Sequence, residues 1–200
     1  MRTDRRNRCL TFLFTVLLVT VSSPMIAGDQ TTGWFKAGSD PNDYDMGTDV
    51  TQSFTGGASG YIRNNKPNPK GFGTYMQMFD ATNYRGLRVR FSAFVKSENV
   101  ENWAGIWMRV DGQSKPTAFY NMQDRPIKGT TSWANYAVVL DVDPHATAIA
   151  FGILMEGKGA VWMNDVKFEA VNEDVQVSQF PARPSAPVNL DFENGPAPKR

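Results

Sequence analysis

The stretch Leu87–Val95, L-R-V-R-F-S-A-F-V, decides the fold. Leu87, Val89, Phe91, Ala93 and Val95 alternate with Arg88, Arg90, Ser92 and Phe94. A period of two sends successive side chains to opposite faces of an extended chain, so one set faces a core. The same signature recurs downstream. Ala104, Ile106, Met108 and Val110 alternate with Gly105, Trp107 and Arg109. Tyr136, Val138, Leu140 and Val142 form a third set, and Ile149, Phe151, Ile153 and Met155 a fourth. Val161, Met163, Val166 and Phe168 form a last strand, whose phase slips at Asn164–Asp165 and predicts a bulge. Weaker strands cover Ser59–Arg63, Thr74–Phe79 and Thr117–Gln123.

Between these runs lies turn chemistry. Asp111–Pro116 (D-G-Q-S-K-P) predicts a hairpin, and Glu156–Gly159 (E-G-K-G) another. Asn64–Lys70 (N-N-K-P-N-P-K) reads as a loop. After the N-terminal region no stretch holds a helical period, and no internal repeat is present. About eight short strands joined by such turns predict an all-β antiparallel sandwich, or jelly roll, over residues 28–170. Residues 171–200 carry Pro181, Pro184, Pro187, Pro196 and Pro198 and read as a proline-rich tail or linker.

Residues 1–27 read as a secretory signal peptide. Arg2, Arg5, Arg6 and Arg8 precede the uncharged run Cys9–Val21, and Ser22–Pro24 breaks that run before small residues at Ala27–Gly28. The expected site of action is therefore periplasmic or extracellular. The alternative is an uncleaved membrane anchor, but the apolar run falls short of the roughly 20 residues that span a bilayer. No membrane span is expected once the leader is cut.

Composition narrows the chemistry further. Of 21 basic and 20 acidic residues, the leader takes four and one, leaving 17 against 19. A near-neutral chain gives no electrostatic footprint for nucleic acid. Cys9 leaves with the leader, so the exported protein has neither disulfide nor thiol. The single His145 excludes a His/Cys zinc site. It lies in Asp143–Pro144–His145–Ala146, a turn-like stretch, and reads as a solvated turn residue, not a catalytic base.

The stretch Gly129–Glu169 holds a Thr-rich turn, a Trp, a Tyr-led strand, an Ile/Phe/Gly strand, a Gly-rich hairpin and a V-W-x-x-D-V-x-F strand, in that order. This order resembles the galactose-binding-like jelly rolls, which include non-catalytic carbohydrate-binding modules. The stretch Trp103–Ile127 (W-A-G-I-W-M-R-V-D-G…A-F-Y-N-M-Q-D-R-P-I) is similar to a narrower bacterial group of unassigned function, whose members occur alone or beside transcriptional regulators. The resemblance spans about Gly33–Ala170. It implies the jelly-roll fold but little about function, since that fold hosts sugar binding, protein contacts and structural roles. Pro187–Glu193 (P-V-N-L-D-F-E) is similar to the opening of another such module.

Alternation also predicts the face opposite the core. With Ile106 and Met108 inward, Trp107 and Arg109 point out. With Met76 and Met78 inward, Tyr75 and Gln77 point out, and with Tyr120 and Met122 inward, Asn121 and Gln123 point out. Gly105 and Gly152 would leave space there. One sheet face carrying Tyr75, Gln77, Trp107, Arg109, Asn121 and Gln123 suits a saccharide: aromatic rings stack on C–H faces while amides and guanidinium bond hydroxyls. The competing expectation is a closed face, with Trp107 in the core and Arg109 paired to Asp111 or Asp124. The protein would then be a structural or protein-interaction domain of the cell envelope. Asp124–Thr130 is expected to cross between the sheets, with an internal Asp–Arg pair.

Two further chemistries are weighed. A structural calcium ion is common in the resembling modules, and Asp40, Asn42, Asp43, Asp45 and Asp49, joined by Asp165 or Glu169, are its candidate ligands. A polar loop without metal is the simpler expectation, and no other cofactor is called for. A glycosidase needs two facing carboxylates. Asp111, Asp124, Glu156 and Glu169 fall mainly in turns or at strand ends, so an enzyme is not expected. Trp103, Trp133 and Trp162 are expected to fill the core or cap its edge.

Overall fold

The computed structural model describes residues 33–181, 185–187 and 190. The signal-peptide region and most of Pro187–Glu193 lie outside these residues. Nine strands follow in order: β1 (Phe35–Gly38), β2 (Tyr44–Asp49), β3 (Ser59–Asn64), β4 (Phe72–Asp80), β5 (Arg88–Asp111), β6 (Pro116–Tyr120), β7 (Ile127–Asp141), β8 (Ala148–Glu156) and β9 (Ala160–Val171). Every pairing is antiparallel.

The 24-residue β5 organises the fold. Fully extended it would reach about 80 Å, while a domain of this size has a radius of gyration near 15 Å. It must therefore bend. Its first half pairs with β7 and β9, and its second half with β8 and β6. The register against β7 shifts between Val95 and Ala104, and Asn99 there takes a positive φ of 51°. One strand thus belongs to two layers. The front layer runs β1-β4-β8-β5-β6 and the back layer β2-β3-β9-β5-β7. Sequence alternation predicts two separate strands here, because Lys96–Trp103 breaks the period.

The alternating residues meet between the layers. Val89, Phe91, Ala93, Val95, Ala104, Ile106, Met108 and Val110 of β5 are fully buried, packed on Ile149, Ile153 and Met155 of β8 and Val161 and Met163 of β9. Each large side chain removed from water contributes about 1.5–3 kcal/mol. The bulge in β9 is present: Lys167 and Asn164 oppose Ser92 and Phe94, and Asp165 has φ 48°.

Several local expectations change. The Asp111–Pro116 hairpin forms, with Gly112 N–H donating to the Lys115 carbonyl at 2.9 Å. Glu156–Gly159 is not a hairpin, since β8 and β9 do not pair and flank β5 in different layers. The turn is seated in the bend of β5. A Cβ on Gly159 would lie 2.7 Å from Val100 Cα, so only glycine fits. The strand expected over Thr117–Gln123 stops at Tyr120, and Met122 takes φ 61°. Strands β1 and β2, which the alternation does not announce, complete the edges.

The segment after β9 docks back. Ser178 N–H donates to the Val139 carbonyl at 2.8 Å, and Val139 N–H donates to Ser178 Oγ at 3.0 Å. Arg88 donates to the carbonyls of Glu173 and Val175. The Phe180 ring lies 5.1 Å from that of Tyr120. Residues 172–180 thereby cover the β7 edge, which would otherwise offer unpaired backbone groups. Among the described residues no helix is long and apolar enough to cross a membrane.

Candidate functional site

Strand register builds a groove on the outer face of the front layer. Met76, Gly152 and Trp107 form one row; Thr74, Leu154 and Gly105 form the next. Arg109 and Phe119 share a row on β5 and β6, and Phe72, Glu156 and Trp103 another. Phe72, Thr74, Met76, Trp103, Trp107, Arg109, Phe119 and Leu154 of these rows line a depression of about 420 Å³. Phe72 and Phe119 stand 37% and 45% exposed at its walls, and Trp103 is half-buried.

Trp107 faces outward, as alternation predicts, yet is only 6% exposed. It packs with Met76, Ala150 and Leu154 as a small second cluster and forms the groove floor. Its Nε1–H donates to Thr74 Oγ1 at 2.8 Å, and that hydroxyl donates to the Ile153 carbonyl at 2.8 Å. The indole is thus locked in place. Trp103 Nε1–H donates to Glu156 Oε2 at 2.9 Å, so this Trp belongs to the groove and not to the core. Arg109 forms an ion pair with Asp111, Nη2 donating to Oδ2 at 2.9 Å, while Nε lies 2.8 Å from Oδ1 but is buried without a hydrogen bond. That charge-assisted bond ties the guanidinium to the end of its own strand.

Asn121 lines the groove beside Arg109, and its Oδ1 accepts from the Gln123 backbone N–H at 3.2 Å. Gln123 itself is exposed and does not line it. Gly105 and Gly152 do not leave open space: the Asn121 carbonyl and Met122 Cβ would lie 3.0 Å from a Cβ at Gly105, and β4 backbone crowds Gly152.

Tyr75 and Gln77 are turned the other way. Tyr75 pairs in register with Ile153, which faces the core, and is itself 3% exposed. Both residues line a separate cleft between the layers. The six expected ligand residues are therefore not brought together. Three line the groove, two lie behind it across β4, and one stands apart. Phe72, Trp103 and Phe119 of the groove were missed. The signal for Trp103 was its parity with Trp107 and Arg109, and for Phe119 its parity with Asn121.

The candidate carboxylates are engaged singly: Asp111 by Arg109, Glu156 by Trp103, Asp124 by the Tyr120 hydroxyl at 2.7 Å and Glu169 by Arg90 at 2.9 Å. Burial, helped by Asp124, raises the Tyr120 phenol above its ordinary range. Asp124 and Arg125 are linked only through this phenol, which accepts from Arg125 Nε at 3.0 Å. The acids once grouped as calcium ligands have separate partners. Asp43 Oδ2 accepts from Lys70 N–H, Asp45 from Asn65 and Asp165 from Lys167. Among the described residues no three His, Cys, Asp or Glu stand close enough to hold a metal. His145 is exposed, in a turn capped by Asp143.

No family model matches the chain. It is 43% identical over 166 residues to YbfP of Bacillus subtilis (strain 168), an uncharacterized HTH-type transcriptional regulator. The match covers 80% of this chain but 56% of that relative's length. Among solved structures, most of the similar ones are β-sandwich carbohydrate-binding modules. The xylan-binding CBM22-1 domain of Paenibacillus barcinonensis Xyn10C superposes with TM-score 0.51 at 14% identity, over 70% of this chain and 87% of that one. A family 16 carbohydrate-binding module gives 0.50 at 10% identity, over 66% and 92%. The enzymatically active domain of bacteriophage CBA120 tailspike protein 4 gives 0.54 at 15% identity, over 72% of this chain and 20% of that one. The fold is the galactose-binding-like β-sandwich used by such modules.

Proposed function

We propose that this chain is a secreted, non-catalytic carbohydrate-binding domain whose front groove takes a saccharide chain. The observation that carries this reading is the ring of accessible aromatic side chains, Phe72, Trp103 and Phe119, around a groove that also holds Arg109 and Asn121. Sugar rings present apolar C–H faces edged by hydroxyls, and such a groove offers both stacking surface and donors. The xylan-binding fold neighbour supports the ligand class. The arginine-rich start and the apolar run Cys9–Val21 support export to the periplasm or beyond.

Binding without catalysis is supported by the candidate carboxylates Asp111, Asp124, Glu156 and Glu169, each engaged by its own neighbouring donor with no two of them bound to the same partner. A second reading, an envelope protein-interaction surface, is favoured by Phe35 and Met78, which extend the exposed apolar surface beyond the groove. The similarity to a transcriptional regulator supports a sensing use of the same module.

A glycan array probed with the exported protein, with and without calcium, tests this. Hits that vanish in Phe119→Ala and Trp103→Ala establish the reading. A blank array from folded protein rejects it, and capture of an envelope protein through Phe119 would establish the second.

A further inference from the structure

We infer that the segment after β9 buttresses the front groove, and that Phe180 is the positioning residue through which it holds the Phe119–Asn121 wall. Resting on the reading of the groove as a saccharide site, this gives a role in binding to residues that lie outside the groove.

The two walls are anchored unequally. Trp103 stands on β5 where β8 pairs alongside, its indole is held by Glu156, and Phe72 shares that row on β4. The opposite wall stands on β6, which is five residues long and pairs with β5 alone. It begins at Pro116, which has no N–H to donate. Phe119 and Asn121 line the groove from the end of this strand and the turn after it. A short strand paired on one side has few backbone bonds to fix it, and such elements open first.

The missing support comes from the far end of the chain. Tyr120, between the two wall residues, belongs to the core side of β6, in register with the buried Met108. Its ring meets that of Phe180 at 5.1 Å. Its hydroxyl donates to Asp124 at 2.7 Å and accepts from Arg125 Nε at 3.0 Å, and the Arg125 guanidinium lies 5.6 Å over the same ring. Arg125 also donates to the Ala137 carbonyl at 2.7 Å. Two residues on, Val139 exchanges hydrogen bonds with Ser178. Residues Gln176–Gln179 lie around Tyr120 and Arg125. Phe180 is 40% exposed, and among the described rings it touches Tyr120 alone. A half-exposed ring adds little to the core; what it caps is the one buried residue of the wall strand.

The test has one arm without ligand and one with it. In the ligand-free full chain, 15N relaxation is compared between wild type, Phe180→Ala and Phe180→Leu. Phe180→Ala should lower the order parameters of the Phe119, Asn121, Gln123 and Arg125 amides from about 0.85 towards about 0.6. The Trp103 indole and β8 should not change. Gln123 is the direct reporter, since its N–H donates to Asn121 Oδ1 at 3.2 Å. Phe180→Leu keeps an apolar contact on Tyr120 and should restore the order. In the second arm, xylohexaose, cellohexaose, mannohexaose and galactohexaose are titrated by calorimetry. Whichever binds the wild type should bind Phe180→Ala roughly fivefold more weakly or worse, the low end of coupling between sites. Phe180→Leu should bind like the wild type, and Tm should hold in both variants. Loosening confined to residues 172–180 and β7 would overturn the inference and leave the segment an edge cover only. Unchanged affinity in Phe180→Ala with a lowered Tm would overturn it too. Failure of all four hexasaccharides to bind the wild type would reject the groove reading instead, and the relaxation arm would still decide whether Phe180 holds the wall.

Discussion

The outer faces of the two layers carry similar residues and treat them in opposite ways. On the back face Trp162 and Phe94 are covered by the chain's own side chains, with Phe54, itself 44% exposed, as the outermost ring. Lys96 lies over the Trp162 ring at 5.2 Å, and Trp162 Nε1–H donates to Asp49 at 2.8 Å. Phe54, from the loop after β2, stacks on Phe94 at 3.7 Å. That loop is pinned by the buried Asn164, whose Oδ1 accepts from Phe54 N–H, Thr55 N–H and Thr55 Oγ1. On the front face, among the described residues, no ring or cation packs over Phe72 and Phe119, which stand 37% and 45% exposed, and polar atoms beneath them hydrogen-bond within the chain. Aromatic content alone does not mark a binding face; what decides is whether the chain spends its own residues covering the rings.

The comparison can be broken at several points. The largest effect expected is from Trp107→Ala, which empties the groove floor and leaves Thr74 short of a donor. It should cost about 3–5 kcal/mol, seen as a drop in Tm, with binding lost through unfolding. Asn164→Ala should follow. Loss of three accepted hydrogen bonds at about 0.5–1.5 kcal/mol each should speed hydrogen exchange in residues 50–58 and leave the front groove unaltered. Phe119→Ala should change stability by less than about 1 kcal/mol, since the ring is nearly half exposed. It should nevertheless weaken saccharide binding tenfold or more, measured by calorimetry. If Phe119→Ala instead unfolds the protein, the front face is structural and the contrast collapses.

The smallest effect is a pH dependence at the back face. The hydroxyl of Thr51, with the Trp162 indole, holds the Asp49 carboxyl below the ordinary range. A depressed folded pKa contributes stability above the unfolded value of about 3.9, lost as pH falls through the folded value. Acid unfolding curves of Asp49→Asn should therefore be flatter below pH 4 than those of the wild type. Asp49 is partly exposed, so the difference is small.

The core was legible because its alternation is clean: every inward residue predicted between Val89 and Val95, and between Ala104 and Val110, is fully buried. The bend joining these two strands was not, since a 24-residue strand shared by two layers leaves no local signature beyond Asn99 and the broken period. The Glu156–Gly159 turn has hairpin chemistry, but its glycines serve close approach to β5. The site was half legible. On β5 only one parity is apolar enough to be core, so Trp107 and Arg109 were placed on the correct face. On β4 both parities carry large side chains, Tyr75 facing the core and Met76 and Met78 facing the groove side. A period of two cannot choose between them, and the choice made was the reverse of the one observed.

The five tryptophans report on separate regions: Trp103 and Trp107 on the groove, Trp34 on the cleft, Trp133 and Trp162 on the back face. Titration of the 15N-labelled protein with xylo-, cello-, manno- and galacto-oligosaccharides, followed through these indole signals, tests the central claim most directly. An open front groove predicts that at least one series shifts Trp103 and Trp107 saturably while Trp133 and Trp162 stay still. Movement confined to the back-face indoles, or no movement with any of the four series, would contradict it.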